Sequence, residues 1–94
     1  MTKDTSYSIK RIASGATKYL RRLSRKQQEA IAQAFDHLCI SPFRHPNPTV
    51  IKSLKGNYKG LWRYRIGNIR IIYAVDEKER TIQVTSIDTR GDVY

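Results

Sequence analysis

The amino-acid sequence predicts an α+β domain in which two helices pack on one face of a small, mostly antiparallel β-sheet. Two observations carry this prediction. Apolar residues in the first half of the chain recur at helical spacing, whereas much of the second half alternates apolar and polar residues as β-strands do. The 94 residues suffice for one compact domain with one modest core, so we expect residues 1–94 to fold as a single unit.

The chain is expected to begin with a short strand followed by a first helix. Segment 7–12 reads as the strand, although Ile9 and Ile12 do not alternate cleanly. Ser14 is placed to cap the helix, because serine is a favoured N-cap residue. The residues expected on the inward face of this helix are Ala16, Tyr19, Leu20 and Leu23.

A second helix is expected to start at Ser24. Gln27 lies three residues further on, and this spacing forms a capping box. Apolar residues then follow at positions i, i+3, i+4 and i+7, which makes one side of the helix apolar. They are Ile31, Ala34, Phe35 and Leu38. The Ser41-Pro42 step is expected to end the helix, since the residue before proline disfavours helical geometry.

The rest of the chain is expected to supply the sheet. Prolines in segment 42–48 exclude regular structure there, so it is predicted to be a linker. The later segments are expected to be a strand or an approach to one at 50–54, a loop at 55–60, a hairpin at 61–73, a charged turn at 76–80 and a final strand at 81–87.

The hairpin is the most informative segment. A two-residue Gly67-Asn68 turn is typical of tight hairpins and fixes the strand register, which places Arg65 directly opposite Arg70. Because side chains alternate between the faces of a sheet, one face of the hairpin is expected to belong to the core. That face consists of Trp62, Tyr64, Ile66, Ile69, Ile71 and Tyr73.

The other face of the hairpin carries Arg63, Arg65 and Arg70. Like charges placed opposite each other cost stability, so an arrangement of this kind indicates an anion-binding role. Guanidinium groups match phosphate geometry well. We therefore expect the arginines to bind phosphate and to contribute little to the fold, so that alanine at Arg65 or Arg70 would leave stability unchanged or slightly higher.

The charge of the chain favours an acidic partner. The net charge is +10 and the isoelectric point is near 10.1, which indicates nucleic acid, an acidic protein or both. No Asp or Glu occurs between Asp36 and Asp76, whereas cations are frequent there. Lys52, Lys55 and Lys59 belong to this stretch and are candidate substrate-binding residues. For scattered lysines elsewhere, the alternative is a solvated surface.

Several other classes of site are not favoured by the sequence. Cys39 is the only cysteine, which excludes an internal disulfide and fits a reducing compartment. His37 and His45 have no carboxylate or cysteine at ligand spacing, so we expect no metal site. No glycine-rich phosphate loop precedes a helix, and no other cofactor is expected. No apolar run is long enough to cross a membrane, and we expect a soluble, cytoplasmic protein.

Arginine and tyrosine side chains remain as the groups that could act on a phosphate. In RNA the 2′-hydroxyl is itself the nucleophile, so the protein must remove a proton, stabilise a pentacovalent dianion and protonate the leaving 5′-oxygen. Arginines suit the second task. A tyrosine beside guanidiniums could take the proton if its pKa of about 10 is lowered. Tyr94, which follows Arg90 in a short polar tail, is the candidate; the alternative is that its ring packs on the sheet edge.

The order of elements, the Leu54-Lys55-Gly56 step, the arginine-rich hairpin and the ending 87–94 resemble the RelE branch of the RelE/ParE toxin superfamily. The resemblance covers nearly the whole chain, and the Arg-x-Asp-Val-Tyr ending points to the RelE-type ribonucleases in particular. It implies the toxin of a toxin–antitoxin system that enters the ribosomal A site and cleaves mRNA without a metal. The implied partners are a cognate antitoxin and a ribosome carrying mRNA.

The resemblance also implies which residues form the site. By position, the catalytic candidates are Arg65, Arg70, Arg90 and Tyr94, and the substrate-binding candidates are Arg63, Lys52, Lys55 and Lys59. Thr89 stands where many relatives have a histidine. A chain terminus at Tyr94 would also place a carboxylate beside the phenol and raise its pKa. The arginines are therefore assigned to substrate binding and transition-state charge, and the general acid and base remain open.

Two alternative functions are retained. One is a ParE-like gyrase inhibitor that binds a protein and does no chemistry, and the other is a non-catalytic RNA-binding module. Arg90 and Tyr94 together favour the nuclease over the gyrase inhibitor. Ile87 breaks the alternation set by Ile82 and Val84, so the sequence does not determine which face of the sheet Arg90 occupies.

Overall fold

The structure, a computed structural model, describes residues 6–89. In chain order, its elements are β1 (Ser8–Ile12), α1 (Ser14–Arg22), α2 (Arg25–Ile40), β2 (Ile51–Ser53), a 3₁₀ turn (Gly56–Tyr58), β3 (Trp62–Ile66), β4 (Ile69–Asp76) and β5 (Thr81–Asp88). The strands form one sheet in the order β1-β5-β4-β3-β2. β1 runs parallel to β5 and the other neighbours are antiparallel. The predicted fold class is confirmed.

The two helices begin in different ways. α2 has the predicted capping box: the Ser24 hydroxyl accepts from the Gln27 amide at 3.2 Å, and the Gln27 side chain accepts from the Ser24 amide at 3.2 Å. The prediction that Ser14 caps α1 is wrong. Ser14 is already helical, and the N-cap is Ala13, which makes no side-chain capping bond. The Ala13 amide instead donates to the Val84 carbonyl of β5 at 2.9 Å, so the sheet fixes the point where α1 starts.

The core lies between the helices and one face of the sheet. The inward residues predicted for both helices and for the hairpin all belong to it, as fully buried members or as partly buried side chains packed against them. Tyr73 is fully buried, and its hydroxyl donates to the Pro42 carbonyl at 2.6 Å. This bond fixes the start of the linker against the central strand β4. Among residues 6–89, no helix is long and apolar enough to span a membrane.

The predicted register of the hairpin is confirmed. β3 and β4 pair from Trp62 with Tyr73 to Ile66 with Ile69, and Arg65 lies opposite Arg70. Gly67 has a φ of +58°, and Asn68 is not among the residues with positive φ. This pattern is that of a type II′ turn, in which only the first central residue needs a left-handed backbone.

A bulge in β5 explains the broken alternation of that strand. Ile72 of β4 pairs with Ser86, whereas the next residue pairs with Val84, so Thr85 is the extra residue. The Thr85 hydroxyl donates to the Ile72 carbonyl at 3.1 Å. As a result Val84 and Ile87 both reach the core, and Asp88 turns to the opposite face.

A similar irregularity occurs in β1. Its register with β5 shifts between Ile9 and Arg11, so that Ile9 and Ile12 both pack against the core. The imperfect alternation of segment 7–12 therefore has the same physical cause as that of β5.

Candidate functional site

The face of the sheet turned away from the helices carries four cations from three adjacent strands. The register places Lys52 opposite Arg63 and Arg65 opposite Arg70. We call these four residues the arginine face. The prediction that the hairpin arginines share one face is confirmed, because the strand pairing holds them there.

Arg70 is the buried member of the arginine face. Only 2% of its surface is exposed. Its Nη2 and Nε atoms donate to Oδ1 of Asp88 at 2.7 and 3.1 Å, and Asp88 is also its register partner on β5. Asp88 itself is partly open, with 34% of its side chain exposed. The expectation that Arg70 contributes little to the fold is therefore wrong, because a buried guanidinium needs such a partner.

Arg63 is hydrogen-bonded to the segment of backbone that leads into β2. Its Nη2 atom donates to the backbone carbonyls of Thr49 and Val50, where the linker joins β2. Within residues 6–89, its Nε atom is buried without a hydrogen-bond partner. Burial, followed by repulsion from Arg65 and Arg70, lowers the pKa of Arg63 from its ordinary value. Arg63 thus anchors the linker, and the same guanidinium adds positive charge to the arginine face.

Arg65 is the exposed member of the pair at the end of the hairpin. Its register partner Arg70 is neutralised locally by Asp88, and the exposed guanidinium lies where a solvent-borne anion can reach it. A phosphate bound at this position would offset the like charges of Arg65 and Arg70.

Lys55 and Lys59 lie on the loop that joins β2 to β3. They flank the 3₁₀ turn, and both side chains are exposed. The loop is closed by a bond from the Leu54 amide to the Leu61 carbonyl at 2.9 Å. It extends from the strand ends opposite the Gly67 turn, so these lysines border the arginine face rather than join it.

Asp88 is a residue of this site that the sequence-based argument missed. The available signal was the broken alternation at Ile87: a bulge that returned Ile87 to the core would also have placed Asp88 beside Arg70. Arg90 and Tyr94 lie outside the described residues, and their assigned roles stay predictions.

The two histidines lie on the helix side of the sheet with Tyr64. The ring centroids of His37 and His45 are 4.8 Å apart, and both lie within 6 Å of the Tyr64 ring. A His37 ring nitrogen bonds the Arg44 carbonyl at 2.7 Å, and a His45 ring nitrogen accepts from the Asn47 amide at 3.0 Å. These contacts hold the linker against α2 and β3. In the described part of the chain, no three His, Cys, Asp or Glu side chains are grouped to hold a metal.

A second basic surface surrounds α1. No acidic residue occurs between Asp4 and Glu29, and the cations of this stretch are Lys10, Arg11, Lys18, Arg21, Arg22, Arg25 and Lys26. All are exposed. Arg11, Lys18 and Arg21 line a groove of about 420 Å³ beside the start of the helix. We call this surface the α1 surface. Because α1 packs on the core face of the sheet, the cations of the helix itself, Lys18, Arg21 and Arg22, lie on the side of the domain opposite the arginine face. Arg11 lies on the edge strand β1 as the register partner of Gln83.

Solved structures of high similarity are toxins from toxin–antitoxin complexes. The RelBE2 complex from Mycobacterium tuberculosis aligns with a TM-score of 0.76 and 27% identity, over 96% of this chain and 98% of that one. The RelE–RelB complex from Pyrococcus horikoshii aligns with a TM-score of 0.75 and 26% identity, over 94% of this chain and 99% of that one. The intact RelBE complex of E. coli aligns with a TM-score of 0.70 and 17% identity, over 93% of this chain and 99% of that one. At this identity the alignment shows a similar fold and nothing more.

The sequence itself matches one family. Residues 10–94 match the ParE toxins of type II toxin–antitoxin systems. No curated protein matches at a significant level. The resemblance drawn from the hairpin and the chain ending is confirmed at the level of the superfamily, and RelE structures are among the neighbours. The chain belongs to the ParE toxin family, within the RelE/ParE superfamily of toxin–antitoxin systems.

Proposed function

We propose that this toxin is an endoribonuclease that cleaves mRNA in the ribosomal A site and so inhibits translation. The 2′-hydroxyl attacks the adjacent phosphorus, the bond from phosphorus to the 5′-oxygen breaks, and the products are a 2′,3′-cyclic phosphate and a 5′-hydroxyl. The proton lost by the 2′-hydroxyl goes to a base, and a proton is delivered to the leaving 5′-oxygen. The reaction needs no metal ion in this proposal.

The arrangement of Arg65 and Arg70 is the observation that carries the proposal. The two residues are register partners on a rigid hairpin, with Arg63 on the same face. Charge on the non-bridging oxygens increases as the pentacovalent dianion forms, and preorganised donors stabilise that charge more than they stabilise the ground state. Lys52, Lys55 and Lys59 extend the positive field along the edge and would hold the neighbouring phosphates of the strand. Arg90 and Tyr94 complete the proposed site.

The α1 surface supports a partner that contacts both sides of the domain. The exposed cations of α1 itself, Lys18, Arg21 and Arg22, are separated by the core from the residues assigned to cleavage. A single strand of mRNA would occupy one side alone, whereas a ribosome offers RNA phosphates on several sides of a bound protein. Phosphate contacts of this kind set affinity and position rather than sequence preference.

An antitoxin is the second proposed partner. The similar structures include complexes of RelE with RelB, and the +10 charge of this chain favours an acidic partner. We propose a cognate antitoxin that covers basic surface and thereby keeps the toxin from its target.

A ParE-like gyrase inhibitor is the competing function, and one observation favours it: the matching family is the ParE family. Such a toxin would arrest replication and leave mRNA intact. The observation that favours cleavage is the similarity, above 25% identity, to two RelE-type toxins over nearly the full chain.

The two functions are separated by primer extension on mRNA from a purified translation reaction. The nuclease should give discrete cuts within translated codons, and Arg65→Ala should remove them. Lys78→Ala is the matched control, because Lys78 is an exposed cation in the turn after β4 and its loss changes the net charge equally. Intact mRNA with the parent toxin, together with inhibited supercoiling by purified gyrase, would overturn the proposal.

A further inference from the structure

We propose that Asp88 is a positioning residue that holds the guanidinium of Arg70 in the orientation needed for cleavage. The proposal rests on the proposed function. It assigns Asp88 no contact with RNA and no proton transfer. Its role is to act through Arg70.

The geometry of the pair supports orientation rather than simple neutralisation. Oδ1 of Asp88 accepts from both Nε and Nη2, the two donors on one edge of the Arg70 guanidinium. Two bonds on one edge fix which edge of the guanidinium faces β5 and hold the group in position. A guanidinium has five N–H donors, and these two bonds set the direction in which its other edge points.

The surrounding positive charges explain why Arg70 needs a partner that fixes the position of its side chain. Arg65 is directly opposite, and Arg63 lies on the same strand and face. Arg70 is nearly fully buried, where repulsion from these neighbours is screened less than in water. Without the carboxylate, the Arg70 side chain would turn away from Arg65. Asp88 therefore allows the two arginines to stay together before a phosphate arrives.

The fold places Asp88 there through one irregularity. The bulge at Thr85 reverses the alternation of β5, so Ile87 enters the core and Asp88 pairs with Arg70. A regular strand would turn Asp88 toward the core instead. The bulge thus supplies the counter-charge at the central strand of the site.

A kinetic cycle tests the proposal, with single-turnover cleavage on ribosomes as the measurement. Asp88→Ala should slow cleavage about 10²-fold, the scale for a displaced reacting group, and leave the toxin concentration at half-maximal rate within about twofold. Asp88→Asn keeps one oxygen that can accept from Arg70, so its cleavage rate should fall by only about threefold to tenfold. In Arg70→Ala, adding Asp88→Ala should cause no further loss, since the residue acts through Arg70. Glu77→Gln makes the same change in net charge in an exposed turn and should match the parent.

The outcomes are decisive in both directions. A parental rate for Asp88→Ala, or losses that multiply in the double variant, would overturn the proposal. So would an Asp88→Asn variant as slow as the alanine variant with an altered pH profile, because that result would indicate proton transfer by the carboxylate. If Asp88→Ala does not fold, Asp88→Ser, which is too short to reach the guanidinium, replaces it in the cycle.

Positioning can also be measured without RNA. In ¹⁵N-resolved NMR of the folded toxin, the Arg70 Nε–H signal should be protected from exchange in the parent, less so in Asp88→Asn and not in Asp88→Ala. If the parent cleaves no mRNA, the proposed function fails. Protection that is equal in all three proteins would refute the positioning role by itself.

Discussion

Arg65 and Arg70 face each other across the β3–β4 hairpin, yet Arg70 is buried and bound to Asp88 whereas Arg65 is exposed. The two residues therefore have different structural roles. Arg65 adds charge at the surface and is opposed by a like charge. Arg70 is the buried member of an ion pair with the partly exposed Asp88. Substitution should separate the two roles.

We expect Arg65→Ala to retain the stability of the parent or exceed it slightly, since it relieves repulsion. Arg70→Ala should lower the free energy of unfolding by about 1.5–3 kcal/mol, the scale of a hydrogen bond to a charged group. Both should slow cleavage by about 10²-fold. Urea denaturation followed by circular dichroism gives the stabilities. Equal destabilisation by the two variants would show that burial of Arg70 does not matter.

The two helix starts offer a second matched comparison. Ser24 caps α2 through its hydroxyl, whereas Ser14 is the first residue of α1 and makes no capping bond. Ser24→Ala should therefore lower the free energy of unfolding by about 0.5–2 kcal/mol. Ser14→Ala should change it by less than about 0.5 kcal/mol. Thermal melts of both variants decide the matter, and a larger effect at Ser14 would contradict this assignment.

The parts of the fold that sequence predicted correctly are those set by local rules. The Gly67-Asn68 turn fixed the hairpin register, and that register placed Arg63, Arg65 and Arg70 on one face. The Ser24 capping box and the apolar spacing after it located α2. In each case the responsible residues lie within a few positions of one another, so their interactions could be inferred from spacing alone.

The contact between Arg70 and Asp88 could not be inferred in this way. The two residues are 18 positions apart, and the bulge at Thr85 lies between them along the chain. A bulge adds one residue without a sequence signature of its own, and its only trace was the broken alternation from Val84 to Ile87. The failed cap at Ser14 has a comparable cause, because a bond from Ala13 to β5 sets that helix start.

Tyr73 should give the protein a specific sensitivity to alkali. Burial is the main cause that raises the pKa of Tyr73 well above its ordinary value, and burial also raises that of Tyr64. Unfolded tyrosines lose their protons near pH 10, so the unfolded state binds fewer protons than the folded state above that pH. Stability should therefore be constant up to about pH 9 and fall above pH 10, by up to about 1.4 kcal/mol per pH unit for each such tyrosine.

Tyr73→Phe isolates this contribution. It removes the donor to the Pro42 carbonyl and should cost about 1–3 kcal/mol at neutral pH, because a buried acceptor loses its partner. The same variant should show a shallower loss of stability above pH 10. Urea titrations at pH 7, 9 and 10.5 measure both effects. A variant with the parental slope at high pH would show that Tyr73 is not the group responsible.

The role of Tyr94 is predicted from sequence and resemblance, and its position lies outside the described residues. Tyr94→Phe removes the hydroxyl and keeps the ring, so it separates a chemical role from packing on the sheet edge. If the phenol takes part in proton transfer or contacts the transition state, single-turnover cleavage should fall by about 10²-fold or more. Binding to ribosomes and to the antitoxin should change little.

The comparison with Arg65→Ala makes the Tyr94 result interpretable. A variant that loses an electrostatic contact should keep the shape of the pH–rate profile, whereas one that loses an acid or base should lose the corresponding limb. We therefore expect Tyr94→Phe, and not Arg65→Ala, to alter the profile. Rates for Tyr94→Phe equal to those of the parent across pH would assign the ring to packing, and the arginine face with Arg90 would then have to supply the catalysis by binding and charge alone.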